Sequence, residues 1–119
     1  MRVEKDWGHE EIIHNGDYCC KALIYRHRIA SSLHYHTFKH ETFVVVSGLF
    51  DIETGSAGGA PNDSILETRR LGAGDTVTLP PLTLHRLRCV QPGSIIEAST
   101  HDDPQDCVRL IISEKPASL

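Results

Sequence analysis

The sequence predicts an all-β fold, a barrel or sandwich of short strands, and three observations predict it. Helical periodicity is hard to find along the chain. The apolar runs are short and rich in Val, Ile, Leu, Thr and Phe. Glycine and proline break those runs at roughly the eight-to-twelve-residue spacing of stacked strands and turns. With 119 residues the chain is long enough for one core and too short for two, so residues 1–119 read as a single domain.

The strands follow in order. Tyr18 to Ile29 carries the run Ala22-Leu23-Ile24, and Thr42 to Val46 is almost entirely β-branched or aromatic. Ser47-Gly48 reads as a tight hairpin turn, where glycine supplies positive φ, and leads into Leu49 to Glu53. The small residues of Gly55-Ser56-Ala57-Gly58-Gly59-Ala60-Pro61-Asn62-Asp63 read as a mobile hairpin loop, because little in them profits from burial. Ile65 to Arg70 and Thr76 to Leu79 flank a turn at Gly72-Ala73-Gly74-Asp75. A second turn at Leu79-Pro80-Pro81-Leu82 precedes Leu84 to Val90, Ile95 to Ser99 and Cys107 to Ile112. Open edges in such a sheet need cover, and pairing with a second copy supplies it, so a homodimer is expected.

Composition excludes several classes. A net charge of −4 gives no basic field for nucleic acid or an anionic membrane. No apolar run approaches the ~20 residues that span a bilayer. The charged start, Met1-Arg2-Val3-Glu4-Lys5-Asp6, lacks a signal-peptide core, which points to the cytoplasm. Cys19, Cys20, Cys89 and Cys107 form no C-x-x-C pair and read as free thiols. The unusual count is histidine, with eight.

Those histidines converge on one stretch. On a strand, residues two apart share a face, so His34 and His36 present both imidazoles together. Glu41 opens the next strand, where its carboxylate can turn back toward them, and His85 follows the Pro80-Pro81 turn. Imidazoles with one carboxylate make a mixed nitrogen and oxygen site for one divalent ion, Mn, Fe, Ni, Co or Zn. Open positions would remain for water or substrate. His14, His27, His40 and His101 read as ordinary surface or core residues; His40, beside Glu41, is the one substitute ligand, and His9 falls near the entrance.

These residues resemble the two motifs of the cupins. His34, His36, Glu41 and Gly48 match the first, H-x-H followed by Glu and Gly. Gly74, Pro80 and His85 match the second, with Leu82 in a usual glycine position and Cys89 in a usual asparagine position. The resemblance implies a double-stranded β-helix, or jelly-roll barrel, with a metal held by His34, His36, Glu41 and His85. More narrowly, residues 4 to 112 are similar to the cupin-type (type II) mannose-6-phosphate isomerase domain. Lys5-Asp6-Trp7-Gly8-His9-Glu10-Glu11 is similar to its opening K-P-W-G-x-x-E, with Asp6 in the proline position. Ser32-Leu33-His34-Tyr35-His36 matches S-L-Q-x-H with histidine for glutamine, and Phe43 to Gly48 matches W-V-V-V-S-G. Thr83-Leu84-His85-Arg86-Leu87 matches T-x-H-R-L, and Ile96-Glu97 and Asp106 to Arg109 are similar to the closing segments.

That resemblance implies aldose–ketose isomerisation of a sugar or sugar phosphate through a metal-stabilised cis-enediolate. The reaction needs a base. Glu97 is the candidate, an acid inside the apolar run Ser94-Ile95-Ile96-Glu97-Ala98, with a solvent-facing position at the rim as the rival reading. Lys21, inside Cys20-Lys21-Ala22-Leu23-Ile24, either meets an anionic substrate or sits on a solvated outer face. Alternation turns Arg86 away from His85 and puts Cys89 on its face; Arg109 binds phosphate or is a surface charge; Trp7 and Phe43 are core or pocket wall. Two other classes stay open on the same ligands: a non-catalytic cupin that binds carbohydrate or another small molecule, and an Fe-dependent dioxygenase.

Overall fold

The computed structural model describes residues 1–57 and 66–117. Among them the regular structure is all strand: β1 (Arg2–Lys5), β2 (Gly8–Asn15), β3 (Tyr18–Tyr25), β4 (Leu33–Tyr35), β5 (Glu41–Ser56), β6 (Glu67–Leu71), β7 (Thr76–Leu79), β8 (Thr83–Thr100) and β9 (Val108–Ile111). One path of the sheet runs β1-β2-β3-β8-β4-β9, and β5 joins it by pairing with β8 while carrying β6 and β7 on its other side. The pairings are antiparallel. No helix of the described residues is long and apolar enough to cross a membrane.

Two long strands organise the molecule, and here the structure corrects the sequence reading. Ser47-Gly48 is not a hairpin turn: β5 runs straight through it, and its ladder with β8 slips at Val45/Ser47, Ser47/Leu49 and Leu49/Phe50. Likewise Leu84 to Val90 and Ile95 to Ser99 are two halves of the single strand β8, bent at Gln91-Pro92-Gly93. The positive φ of Gly48 is real, at +86°, but it serves a bulge. A Cβ at Gly48 would lie 2.6 Å from the Gln91 carbonyl oxygen, and one at Gly93 would collide with the Ser47 backbone. The two glycines let the bent strands touch backbone to backbone, which curls the sheet toward a barrel.

The slip also changes which residues face inward. Glu41, Phe43 and Val45 are buried before it, and Phe50 and Ile52 after it. A one-residue shift exchanges the two faces of a strand, so the apolar set stays inside only because the bulge resets the alternation. The core gathers at that end: Phe50, Ile52, Leu71, Leu87, Cys89 and Ile95 pack with Tyr25, on which Trp7 stacks with ring centroids 4.1 Å apart. Cys89 is therefore a small apolar core residue, packed away from the cavity at the sheet's other end.

The other end of the curled sheet is open. A cavity of about 880 Å³ enters there, walled by β1, β2, β3, β5, β8 and the segment around residues 102–115. β1 and β2 escaped the sequence reading because Glu4, Lys5, Glu10, Glu11 and His14 hide their alternation; β1 ends the sheet on one side. β9 ends it on the other, and Val108, Leu110 and Ile111 of β9 and Ile112 just beyond it are exposed. Most of the expected loop at 55–63 lies outside the described residues; β5 reaches Ser56 within it.

Candidate metal centre

Strand pairing brings three histidines together at the inner end of the cavity. His34 of β4 lies directly opposite His85 of β8. His36, two residues on, shares the face of His34. The ring centroids stand 4.4 Å apart for His34 and His85 and 5.0 Å for His34 and His36, and each residue offers a nitrogen within 4.8 Å of the others'. The opposite ring nitrogens are all spoken for. Nδ1 of His34 donates to the Ser32 carbonyl at 3.0 Å, Nδ1 of His85 to the Thr83 carbonyl at 2.9 Å, and Nδ1 of His36 to the Asp106 carbonyl at 2.5 Å. A carbonyl only accepts, so each Nδ1 carries the hydrogen and each Nε2 is left with its lone pair. Burial first, then repulsion from the other two histidines, pushes His34 down to about 2. Burial also takes His85 down to about 4 and lowers His36. All three are neutral at neutral pH, the form that binds a metal.

Glu41 stands beside them on the first residue of β5. One carboxylate oxygen is 3.2 Å from Nε2 of His36 and the other 3.9 Å from Nε2 of His85. Burial, reinforced by the nearby Glu97, pushes Glu41 up to about 8. Two buried acceptors, Glu41 Oε2 and His85 Nε2, have no hydrogen-bond partner among the described residues. Orphaned acceptors are costly inside a protein. A cation satisfies both at once, so the residues present fit a metal ion.

Behind Glu41 lies a chain of buried charges. Nζ of Lys39 sits 2.7 Å from Glu97, 2.9 Å from Asp102 and 4.0 Å from Glu41. Asp102 passes its other oxygen to Nζ of Lys21 at 2.8 Å, and Lys21 also reaches Glu10 at 3.2 Å. Two lysines thus face four carboxylates. Such buried pairs add little stability for their desolvation. Desolvation works against Asp102 ionising, yet the two lysines overcome it and hold that carboxyl at about 2.

The structure places the sequence candidates as follows. Glu97 and Lys21 pair directly across β8 and β3, and both point into the barrel, each 4% exposed. The rim and outer-face readings of these two residues are corrected: inward alternation on β3 and β8 buries both. Lys21 is already neutralised by Glu10 and Asp102, with its cation favoured over its neutral form by those carboxylates against the opposing burial. Trp7 and Phe43 are core and cavity wall together. Arg109 lines the cavity, whereas Arg86 bonds the Ser31 carbonyl at 3.1 Å, away from it. His40 is exposed and stands outside the histidine cluster, and His9 meets Arg26 instead. Sequence reasoning missed Lys39, Asp102 and Asp106. They lie in irregular polar segments, where no alternation tells inside from outside.

The sequence matches no family model and no curated protein. The structure is similar to the capsular polysaccharide assembling protein CapF from Staphylococcus aureus, with a TM-score of 0.75 and 18% identity over 99% of this chain and 32% of that one. It is similar to KdgF from Halomonas sp., with a TM-score of 0.66 and 22% identity over 82% of this chain and 81% of that one. It is also similar to oxalate decarboxylase from Bacillus subtilis, a protein with Mn(II) centres, with a TM-score of 0.71 and 18% identity over 92% and 29%. These are cupin-fold proteins. The chain has a cupin fold. It spans about a third of CapF and of oxalate decarboxylase, and identities this low speak to the fold alone. Within that fold the cupin motifs fall where the geometry needs them, with the H-x-H pair on β4 and its edge, the glutamate at the start of β5 and the last histidine on β8.

Proposed function

We propose that this cupin is a metal-dependent enzyme that interconverts the aldose and ketose forms of a sugar or sugar phosphate. The observation that supports the reading is the convergence of three neutral imidazoles and an orphaned carboxylate on a cavity that also contains a second, separately held carboxylate, Glu97. His34, His36, His85 and Glu41 would hold one divalent ion of the Mn, Fe, Co, Ni or Zn group. When bound, such an ion supplies Lewis acidity toward a carbonyl and its neighbouring hydroxyl. The cavity volume of about 880 Å³ falls in the range of small-molecule sites, roughly 300–1,000 Å³.

Glu97 is the residue that moves the proton. The Lys39 ammonium holds Oε2 of Glu97 at 2.7 Å, with the Ser99 hydroxyl 3.1 Å from the same oxygen and shared with the Thr100 carbonyl. Oε1 is then the oxygen that takes the proton from one carbon of the substrate and returns it to the next. Lys21 and Asp102 keep the surrounding charge balanced, and Trp7, Phe43 and Leu23 line the cavity with apolar surface. The resemblance of the Trp7-Gly8, His34-to-Gly48 and Thr83-to-Leu87 segments to mannose-6-phosphate isomerase domains points to the same reaction.

The test is metal-dependent deuterium uptake from heavy water at C2 of the substrate, run over a panel of aldoses, ketoses and their phosphates. Exchange that is lost in Glu97→Gln supports the reading. No exchange on any member with metal-loaded protein would sink it, and binding without exchange would make the cavity a capture site. The expected homodimer would pair the exposed β9 edge, and sedimentation of the purified chain checks that separately.

A further inference from the structure

Two carboxylates, Glu41 and Glu97, are buried side by side, and their surroundings differ in one respect. Glu97 is served by the protein on Oε2: the Lys39 ammonium lies 2.7 Å from it, and the Ser99 hydroxyl, 3.1 Å away, shares its one hydrogen between this oxygen and the Thr100 carbonyl. Glu41 is not; its Oε2 is buried with no hydrogen-bond partner among the described residues and lies 3.2 Å from Nε2 of His36. The group between them is the Lys39 ammonium, 2.7 Å from Glu97 and 4.0 Å from Glu41.

The position of that ammonium is fixed from behind. Asp102 takes Lys39 on one carboxylate oxygen at 2.9 Å and Lys21 on the other at 2.8 Å. The backbone of Asp102 is clamped in turn by Asn15, whose side-chain amide donates to the Asp102 carbonyl and accepts from the Asp102 N–H, both at 2.9 Å. The loop that carries Lys39 is tied down as well, because the Asp106 carboxylate accepts the N–H groups of Thr37, Phe38 and Lys39. Lys39 is therefore anchored on the Glu97 side of the gap and has no freedom to serve both acids equally.

We infer that Lys39, positioned by Asp102, sorts the two buried carboxylates, leaving Glu41 to the metal and holding Glu97 back as a non-ligand. Both acids sit on inward positions of neighbouring strands, with Phe43 of β5 opposite Glu97 of β8. Without an internal cation both would turn to a divalent ion. A site with both acids ligated would have no free carboxylate for proton transfer and fewer open positions for substrate. Lys39 is thus a positioning residue. The inference rests on the metal site proposed above, and it holds for a binding cupin as well as for an isomerase.

The experiment uses the full chain loaded with Co²⁺, whose visible spectrum reports coordination independently of any activity. Wild type is compared with the near-isosteric Glu41→Gln, Glu97→Gln, Lys39→Gln and the double variant Lys39→Gln/Glu97→Gln, with affinity read by competition against a chelator. The expected result is that Glu41→Gln changes the spectrum and weakens Co²⁺ by about tenfold or more. Glu97→Gln keeps the wild-type spectrum. Lys39→Gln alters the spectrum and tightens binding as Glu97 turns to the ion, and the double variant returns the spectrum to that of wild type. The inference is overturned if Glu97→Gln shifts the spectrum as Glu41→Gln does, or if folded Lys39→Gln leaves it unchanged. Should Lys39→Gln not fold, Asp102→Asn, which loosens the anchor of Lys39, takes its place: an altered Co²⁺ spectrum that Glu97→Gln restores supports the inference, and an unchanged spectrum overturns it. A wild type that takes up no Co²⁺ overturns the metal reading and this inference together. One bound ion with an altered Glu97→Gln spectrum overturns the inference only.

Discussion

The main-chain carbonyl of Asp106 accepts the Nδ1 hydrogen of His36 at 2.5 Å, and the carboxylate of the same residue accepts three backbone N–H groups of the loop that follows His36. One residue, seventy positions along the chain from His36, therefore sets both the tautomer of that imidazole and the path from the H-x-H pair to Lys39 and Glu41. Asp106→Ala removes the carboxylate and keeps the carbonyl. It is expected to lower stability by about 1–2 kcal/mol, the range for a side chain capping exposed N–H groups. It should also weaken metal binding about tenfold through misplacement of Glu41. Chemical denaturation with and without metal separates the two effects; an unchanged metal affinity would mean the loop holds its path without Asp106.

Metal uptake should release close to one proton at pH 7, and Glu41 should be its source. The histidines contribute little, because burial holds His34 and His85 down to about 2 and 4 and lowers His36 as well. Glu41, raised to about 8 chiefly by burial, is mostly protonated at pH 7 and must lose that proton to ligate. Calorimetry of metal binding in buffers of different ionisation enthalpy counts the protons. Glu41→Gln should abolish the release, and a full release that survives in this variant would place the proton elsewhere.

The legible part of this protein was the part written in alternation. His34, Glu41 and His85 fall on inward strand positions, and period-two reasoning carries each of them to the barrel interior; for Lys21 and Glu97 it leaves the outward reading open, and only the pairing of β3 with β8 turns both inward. It failed where a bulge breaks the period: Ser47-Gly48 has the composition of a turn, and only the paired bend at Gly93 reveals that the strand continues. It failed too for Lys39, Asp102 and Asp106. Their burial is decided by tertiary pairing across 63 to 69 residues rather than by their neighbours. Cys89 was misplaced for the reverse reason: its inward parity is right, but inward at that height of the barrel means core, not cavity.

Acid should unfold the metal-free protein in two stages. The histidines have folded-state values below their ordinary range, so the unfolded chain binds more protons once the pH falls below about 6.5, and stability declines from there. Asp102 adds a second, lower window. Its folded value of about 2 lies below the unfolded one of roughly 3.9, so its contribution is complete above about pH 4 and lost as pH falls through 2. That contribution is on the order of 2–3 kcal/mol, and Asp102→Asn should remove the lower stage while sparing the upper. Metal-loaded protein should resist the upper stage, since the ion competes with protons for the same nitrogens. Thermal melts across pH with and without metal test this, and identical apo and loaded profiles above pH 4 would refute it.

Leu82 supplies the last test. It occupies the motif position where glycine is usual, and the structure gives it a φ of +64°, the left-handed region that a branched side chain pays to enter. The turn forms regardless because both neighbours hold it: the N–H of Leu82 bonds the His36 carbonyl at 2.8 Å, and its carbonyl accepts from Ala57 at 3.1 Å. The side chain is 49% exposed and contributes little burial in return. Leu82→Gly relieves the left-handed strain of about 1–2 kcal/mol but gives glycine more freedom in the unfolded chain. The net expectation is a gain of roughly 0.5–1 kcal/mol with metal affinity unchanged. Leu82→Pro, which fixes φ near −65° and deletes the N–H that bonds His36, should instead cost several kcal/mol and weaken metal binding. If Leu82→Gly destabilises the protein, then the exposed leucine makes a contact beyond this chain, and concentration-dependent melting of the wild type would reveal it.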